Sequence, residues 1–299
     1  MNEWLGLTLI RFRTWIGDTV ERCREKDEIG RYGIIISVLV AWFVMSMAMQ
    51  SLILIIVKGL MGSSLDTGGL NTLIGEIAPV SSVLAYLPIL ALLPFIRSKL
   101  FSSPLLSLPS TSRDTRPSRI LRAIGFGAAS AVVLFIGVQI VGAVANALQP
   151  TLRSSSTTRS MSTMIVGVFN GSERWSWLVV LDLVCAAILA PLMEELMFRV
   201  VVASEVYDST FATAILEDGS RKRTWLRTLM ATLVSGLIFA VMHVMTTDPS
   251  QALLVLLTTW FMGSFLSWLT CVACRSAWPG IIGHCLYNVM VIGIGVIVL

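Results

Sequence analysis

Of the 299 residues, 55% are hydrophobic and only 13% charged, and the mean hydropathy is +0.81; a soluble domain has roughly a quarter of its residues charged. This composition excludes a soluble globular domain and a secreted disulfide scaffold. The 22 glycines and 10 prolines are ordinary for helices in lipid, and the apolar runs lack the alternation of an outer-membrane barrel, so the expected fold is all-α, a polytopic transmembrane helical bundle. The net charge of +4 is small and sits in particular loops, so it reports membrane orientation and no nucleic-acid partner is expected.

In chain order, residues 1–32 hold twelve charges and no continuous apolar core, which is unlike a cleaved secretory signal. Leu5, Leu9, Phe12 and Ile16 recur there at helical spacing, as in an amphipathic helix lying on the membrane surface. Seven segments are then apolar and long enough for a hydrocarbon core that needs about 20 helical residues: Gly33 to Val57, Pro79 to Ile96, Ile120 to Ala147, Trp175 to Tyr207, Thr228 to Met245, Ala252 to Cys274 and Trp278 to Leu299. The fourth contains Pro191 and charged residues, so a kink is expected in it. Residues 98–119, rich in Ser, Pro and Arg, read as a flexible cytoplasmic linker between a two-helix region at 33–97 and a bundle at 120–299.

Lysine and arginine orient the bundle. Six fall in the leader, six between Arg97 and Arg122, and Arg221, Lys222, Arg223 and Arg227 form a third basic stretch, whereas residues 61–78 and 246–251 have none. Basic residues stay on the cytoplasmic side, which sets the N-terminus inside and, after seven crossings, the C-terminus outside. Four of the five cysteines, Cys185, Cys271, Cys274 and Cys285, lie in or beside apolar spans, where cysteine is a small buried hydrophobe; the Cys271/Cys274 pair has no second pair to complete a zinc knuckle. Tryptophans near span ends, such as Trp42, Trp175 and Trp278, suit interface anchoring.

Ionisable groups within a bilayer are costly and mark functional cavities by default. The most polar spot in any span is Pro191-Leu-Met-Glu194-Glu195-Leu-Met-Phe-Arg199. Glu195 and Arg199 are four apart in the favourable acid-first order, so Arg199 neutralises Glu195 and Glu194 is left on a neighbouring face without a local partner. The chain has two histidines, both in late apolar spans: His243 follows Phe239 by four, and His284 precedes Asn288 by four, which stacks imidazole and carboxamide on one face. A glutamate can deprotonate water, a histidine can share that proton, and an imidazole with an amide can stabilise an oxyanion. The same Glu and two His could instead hold a divalent metal such as zinc that activates the water. A helix-locking ion network without chemistry is the alternative reading of the Glu-Glu-Arg group.

At these residues the chain resembles the CAAX protease and bacteriocin-processing family of intramembrane proteases, also called the Abi family, which includes the type II CAAX prenyl proteases. The family pattern is Glu-Glu-x-x-x-Arg, Phe-x-x-x-His and His-x-x-x-Asn on three separate helices, present here as Glu194, Glu195 and Arg199, Phe239 and His243, and His284 and Asn288. The resemblance covers about residues 175 to 295. It implies that Glu194 and His243 activate water and that His284 and Asn288 form an oxyanion hole, with Glu195, Arg199 and Phe239 in support. Val200 stands where the family often has glycine, which weakens the expectation of close helix packing there. In straight, upright helices His243 would lie about 22 Å along its span and His284 about 9 Å along its own; the resemblance implies that they meet, so strong tilt, a partly re-entrant sixth segment or shifted boundaries are expected.

The function these residues imply is an intramembrane endopeptidase acting on a membrane-associated or lipid-linked peptide or protein near the cytoplasmic half of a bacterial inner membrane, with or without a divalent metal. The alternatives are a catalytically silent scaffold, regulator or bacteriocin-immunity protein of the same family, and a proton-coupled transporter, against which the lack of internal repeats counts. Asp182, twelve residues before Glu194, is read as an interhelical hydrogen-bonding group.

Overall fold

A computed structural model of the chain describes residues 28–61, 80–81, 83–86, 100–109, 115–148, 177–208, 221–245, 247 and 249–298. The expected leader helix, most of the second span and the loops 62–78 and 149–174 lie outside the described residues. Every regular element among the described residues is helical, as lipid demands of backbone that can find no water to bond. These are α1 (Glu28–Met61), α2 (Arg116–Leu148), a broken rod made of α3 (Trp177–Val184), α4 (Ala190–Glu195) and α5 (Ser204–Asp208), then α6 (Arg221–Val244), α7 (Ala252–Trp268) and α8 (Trp278–Val298).

Helices stand at six of the seven expected spans. Two of them, Arg116–Leu148 and Pro249–Ala273, are long and apolar enough to cross a membrane, and shorter apolar stretches occupy Leu39–Ile53, Thr228–Val244 and Trp278–Ile294; the count of seven crossings stays an expectation. The 33 residues of α2 extend about 50 Å, enough to cross at a tilt. Its outward side is apolar along its length, with Leu121, Val132, Ile136, Ile140 and Val144 exposed, and α1 likewise exposes Ile36, Val40, Val44 and Ile55. An apolar exterior of this extent is the face that meets lipid tails.

Small residues bring the site-bearing helices together. α6 packs most extensively on α7, and α2 on α8 and α7. At the α6/α7 crossing a Cβ on Gly263 would stand 2.8 Å from the Cα of Gly236, so the backbones touch where neither residue has a side chain. Beside it Ser235 Oγ donates to the Phe198 carbonyl (3.0 Å) and Ser267 Oγ donates to Ser235 Oγ (2.9 Å), which ties α6 and α7 to the broken rod. Trp42, Tyr86, Leu134, Phe198, Phe239 and Leu266 form one buried apolar core across these elements.

The broken rod is bent by π turns, Cys185–Leu189 and Leu196–Ala203. Pro191 has no N–H to return to the carbonyl four residues back, and just ahead of it the helix widens, with the Ala190 N–H bonding the Cys185 carbonyl. Side chains of α8 cap the loosened carbonyls: Asn288 Nδ2 donates to Ala186 O at 2.9 Å, and Cys285 Sγ donates to Ile188 O at 3.7 Å. Val200, where close packing was in doubt, is fully buried against Leu100, Ala277 and Ile281.

One further contact sets the start of α8. The three-residue turn Pro104–Leu106 lies against the chain just before and at the start of that helix. Ala277 N–H donates to Leu105 O (2.7 Å), Ser276 Oγ to Ser107 O (2.7 Å) and Trp278 Nε1 to Leu106 O (2.8 Å).

Substituting Gly263→Ala is expected to destabilise the protein by about 1–3 kcal/mol through overpacking, because the opposing atoms are backbone and cannot swing away. Gly125→Ala, whose Cβ would meet nothing within 4 Å, serves as the neutral control. Thermal unfolding of the two variants in the same detergent checks this.

Candidate active site

The broken rod brings Glu194 and Glu195 into the bundle on adjacent faces of α4, and α6 and α8 bring His243 and His284 against them. Glu195 is wholly buried, and so is Arg199 one turn later; Arg199 Nη2 stands 3.2 Å from Glu195 Oε1. Two charges far from water persist only when paired. None of the guanidinium nitrogens is aligned for a hydrogen bond among the described residues, so the pair is held by Coulomb attraction. It is completed by an aromatic face: Arg199 Cζ lies 4.6 Å from the centroid of Phe239, within cation–π range.

His284 binds the same carboxylate oxygen. Its Nδ1 stands 3.1 Å from Glu195 Oε1, and its side chain is 2% exposed. An ionised carboxylate only accepts, so Nδ1 carries the hydrogen and Nε2 is turned the other way, toward Glu194 Oε2 at 3.9 Å. His243 is fixed by a similar logic. Its Nδ1 donates to the Phe239 carbonyl at 2.8 Å, and since a carbonyl cannot donate, the neutral ring presents its Nε2 lone pair toward Glu194 Oε2, 4.0 Å away.

Both histidines therefore aim Nε2 at one oxygen of Glu194. Parallel upright rods would have kept them apart, so these helices are inclined or broken relative to one another, as the π turns of the rod already require. The distances are too long for direct hydrogen bonds and close to the span of about 4.5 Å bridged by one water. Exposure separates two halves of the site: Glu194 and His243 are 16% and 31% exposed, whereas Glu195 and Arg199 are at 0%. Water reaches the first pair and not the second.

Phe239 is the hub of this arrangement and is itself fully buried. Its carbonyl orients His243, its face receives Arg199, and its ring lies 4.2 Å from the ring of His243, 6.2 Å from that of His284 and 5.1 Å from that of Phe198. Asn288, one turn beyond His284, has one amide hydrogen committed to Ala186 O. Asp182 is buried and lies on α3, on the far side of the first π turn.

Two polar residues here had drawn no notice in the sequence. Tyr86 is buried, with no partner for its hydroxyl among the described residues, and it feels the charges of Glu194, Arg199 and Glu195 from beneath the ring of Trp42 at 5.4 Å. Its only local signal is a polar ring within an apolar run. Thr270 Oγ1 is likewise buried, on a π turn after α7 (Leu269–Ala273).

A metal is tested by donor spacing. Carbonyl and carboxylate partners behind the imidazoles are of the kind that also orient zinc-bound histidines, so the first ring of donors decides. Ligands of a tetrahedral zinc stand about 3.4 Å apart for bonds of about 2.1 Å, and Glu194 Oε2 is farther than that from both imidazoles. No group of three or more His, Cys, Asp or Glu among the described residues is arranged to hold an ion. As placed, these side chains do not fit a metal.

Comparison with known proteins adds one match: residues 175–290 fit the family described as type II CAAX prenyl endopeptidase, Rce1-like. No curated protein and no solved structure matches the chain.

Arg199→Met is expected to destabilise the fold by about 3–5 kcal/mol, because it leaves a carboxylate buried without its counter-ion. The double variant Glu195→Gln with Arg199→Met removes both charges and is expected to recover at least half of that loss. Unfolding of the solubilised variants measures both, and equal instability of the single and double variants would show that shape rather than charge holds this site.

Proposed function

Because the chain belongs, through residues 175–290, to the Rce1-like CAAX protease family, we propose that it is an intramembrane endopeptidase in which Glu194 and His243 activate water directly. The observation that carries this reading is the convergence of two acceptors, Glu194 Oε2 and the His243 Nε2 lone pair, 4.0 Å apart on the side of the site that water reaches. A water there donates one hydrogen to each and turns a lone pair outward. Glu194 takes the proton as the oxygen attacks the peptide carbonyl, and returns it to the leaving amine.

The oxyanion that forms needs donors. The two carboxylates and one guanidinium leave the cluster one negative charge, which an imidazolium at His284 balances; its Nε2–H then serves the oxyanion, with Nδ1 anchored on Glu195. Asn288 lies on the same helical face and has a second amide hydrogen for the same oxygen. The peptide enters from the membrane, and the distribution of basic residues sets the site toward the cytoplasmic half of a bacterial inner membrane, with the N-terminus inside. The substrate class is a membrane-associated or lipid-linked peptide or protein, in keeping with the prenyl endopeptidases of the family. No step here uses a metal.

The test is cleavage of a mixed library of peptides and lipidated peptides by the purified, solubilised chain. Glu194→Gln is expected to lower kcat by at least about 100-fold and His243→Ala by a similar factor, both while inserting and folding normally, and a chelator is expected to leave the wild-type rate unchanged. Undiminished cleavage by Glu194→Gln would refute the assignment, and loss of cleavage with chelator would replace direct activation by a metal. Wild-type inactivity on every substrate, with a cellular phenotype that survives Glu194→Gln, would favour a silent scaffold.

A further inference from the structure

Glu195 uses one oxygen for both of its charged partners. Its other oxygen, Oε2, has no hydrogen-bond partner among the described residues, and neither has Thr270 Oγ1. Both residues are 0% exposed, so bulk water does not satisfy them, and atoms of this kind are costly to bury bare.

The two atoms face one point. A Cβ built on Gly280 would stand 3.1 Å from Thr270 Oγ1 and 3.2 Å from Glu195 Oε2, with Leu266 Cδ2 at 3.9 Å behind it. For carbon those separations are tight; for an oxygen they are hydrogen-bond lengths. Gly280, in the first turn of α8, thus shapes a cradle of one-atom size between the end of α7 and α4, walled by an acceptor, a hydroxyl and a methyl.

We propose that this cradle is a binding site for a single buried water, which donates to Glu195 Oε2 and accepts from the Thr270 hydroxyl. Two polar partners meet the minimum for a held internal water. Thr270 is then a positioning residue: through the water it fixes the Glu195 carboxylate, and through Glu195 Oε1 it fixes His284. The glycine at 280 follows from the same geometry, because any side chain would take the place of the water. The site itself stands apart from the proposed function, and only its effect on turnover rests on that reading.

A crystal structure of the full chain showing ordered water is expected to carry a peak about 2.6–3.2 Å from both oxygens. Thr270 bonded straight to Glu195, or a dry contact, would overturn the proposal whatever the protein cleaves. In kinetics, Thr270→Val and Gly280→Ala are each expected to lower kcat roughly ten-fold with KM unchanged, the scale of losing an outer partner of a catalytic group. Thr270→Ser is expected to restore most of the rate, and the double variant to be no slower than the slower single, since one water serves both. Multiplying losses, a change confined to KM, or no rescue by serine would count against the shared water. Failure of the wild type to cleave any substrate would instead count against the protease reading and leave the crystallographic test standing.

Discussion

The burial of Glu195 and Arg199, at 3.2 Å with no solvent contact, is the constraint around which the rest is arranged. A charge pair in an apolar bundle is stable only when other groups share it, and each of the three helices that meet here contributes one: the same rod supplies both charges, α6 supplies the Phe239 ring under the guanidinium, and α8 supplies the His284 imidazole on the carboxylate. The pair thereby dictates which helices are neighbours and which faces they turn inward. Close crossings without side chains, as at Gly236 and Gly263, let the backbones approach far enough for these short groups to reach.

The same pair divides labour between two adjacent carboxylates. Glu195 is neutralised and immobile, and its remaining influence is to aim His284. Glu194, one residue earlier, points to a neighbouring face that water reaches, with both imidazoles directed at it. A helix turn of about 100° per residue is enough to give consecutive, chemically identical side chains opposite environments. This is how a two-residue motif supplies both a fixed support and a reactive group.

How much of this could be read from residues alone follows from sequence separation. Glu195 and Arg199 are four apart, and local helix geometry brings them together; the helices at six expected spans were equally visible as apolar runs. Pro191 announced a disturbance in the fourth span but not its form, since whether a helix kinks or widens depends on what is available to take the freed carbonyls. Here it is Asn288 and Cys285, about a hundred residues away in the chain. The bond of His284 to Glu195 spans 89 residues, and motif spacing within α8 pointed to its pairing with Asn288 instead. Tyr86 and Thr270 are single polar residues in apolar stretches, and nothing local separates them from hydroxyls that bond their own helix.

The turn Pro104–Leu106, docked on the chain at 276–278, bears on the site by way of axial register. α8 is apolar over most of its length, and against a smooth apolar wall such a helix could slide along its axis at little cost. Three hydrogen bonds from the turn, one of them to the indole of Trp278, fix its origin six residues before His284. A slip of one residue would carry the imidazole about 1.5 Å along the axis, more than positioned chemistry tolerates. A short irregular segment far back in the chain, bearing none of the reactive groups, thus acts as the depth stop for a histidine it never touches.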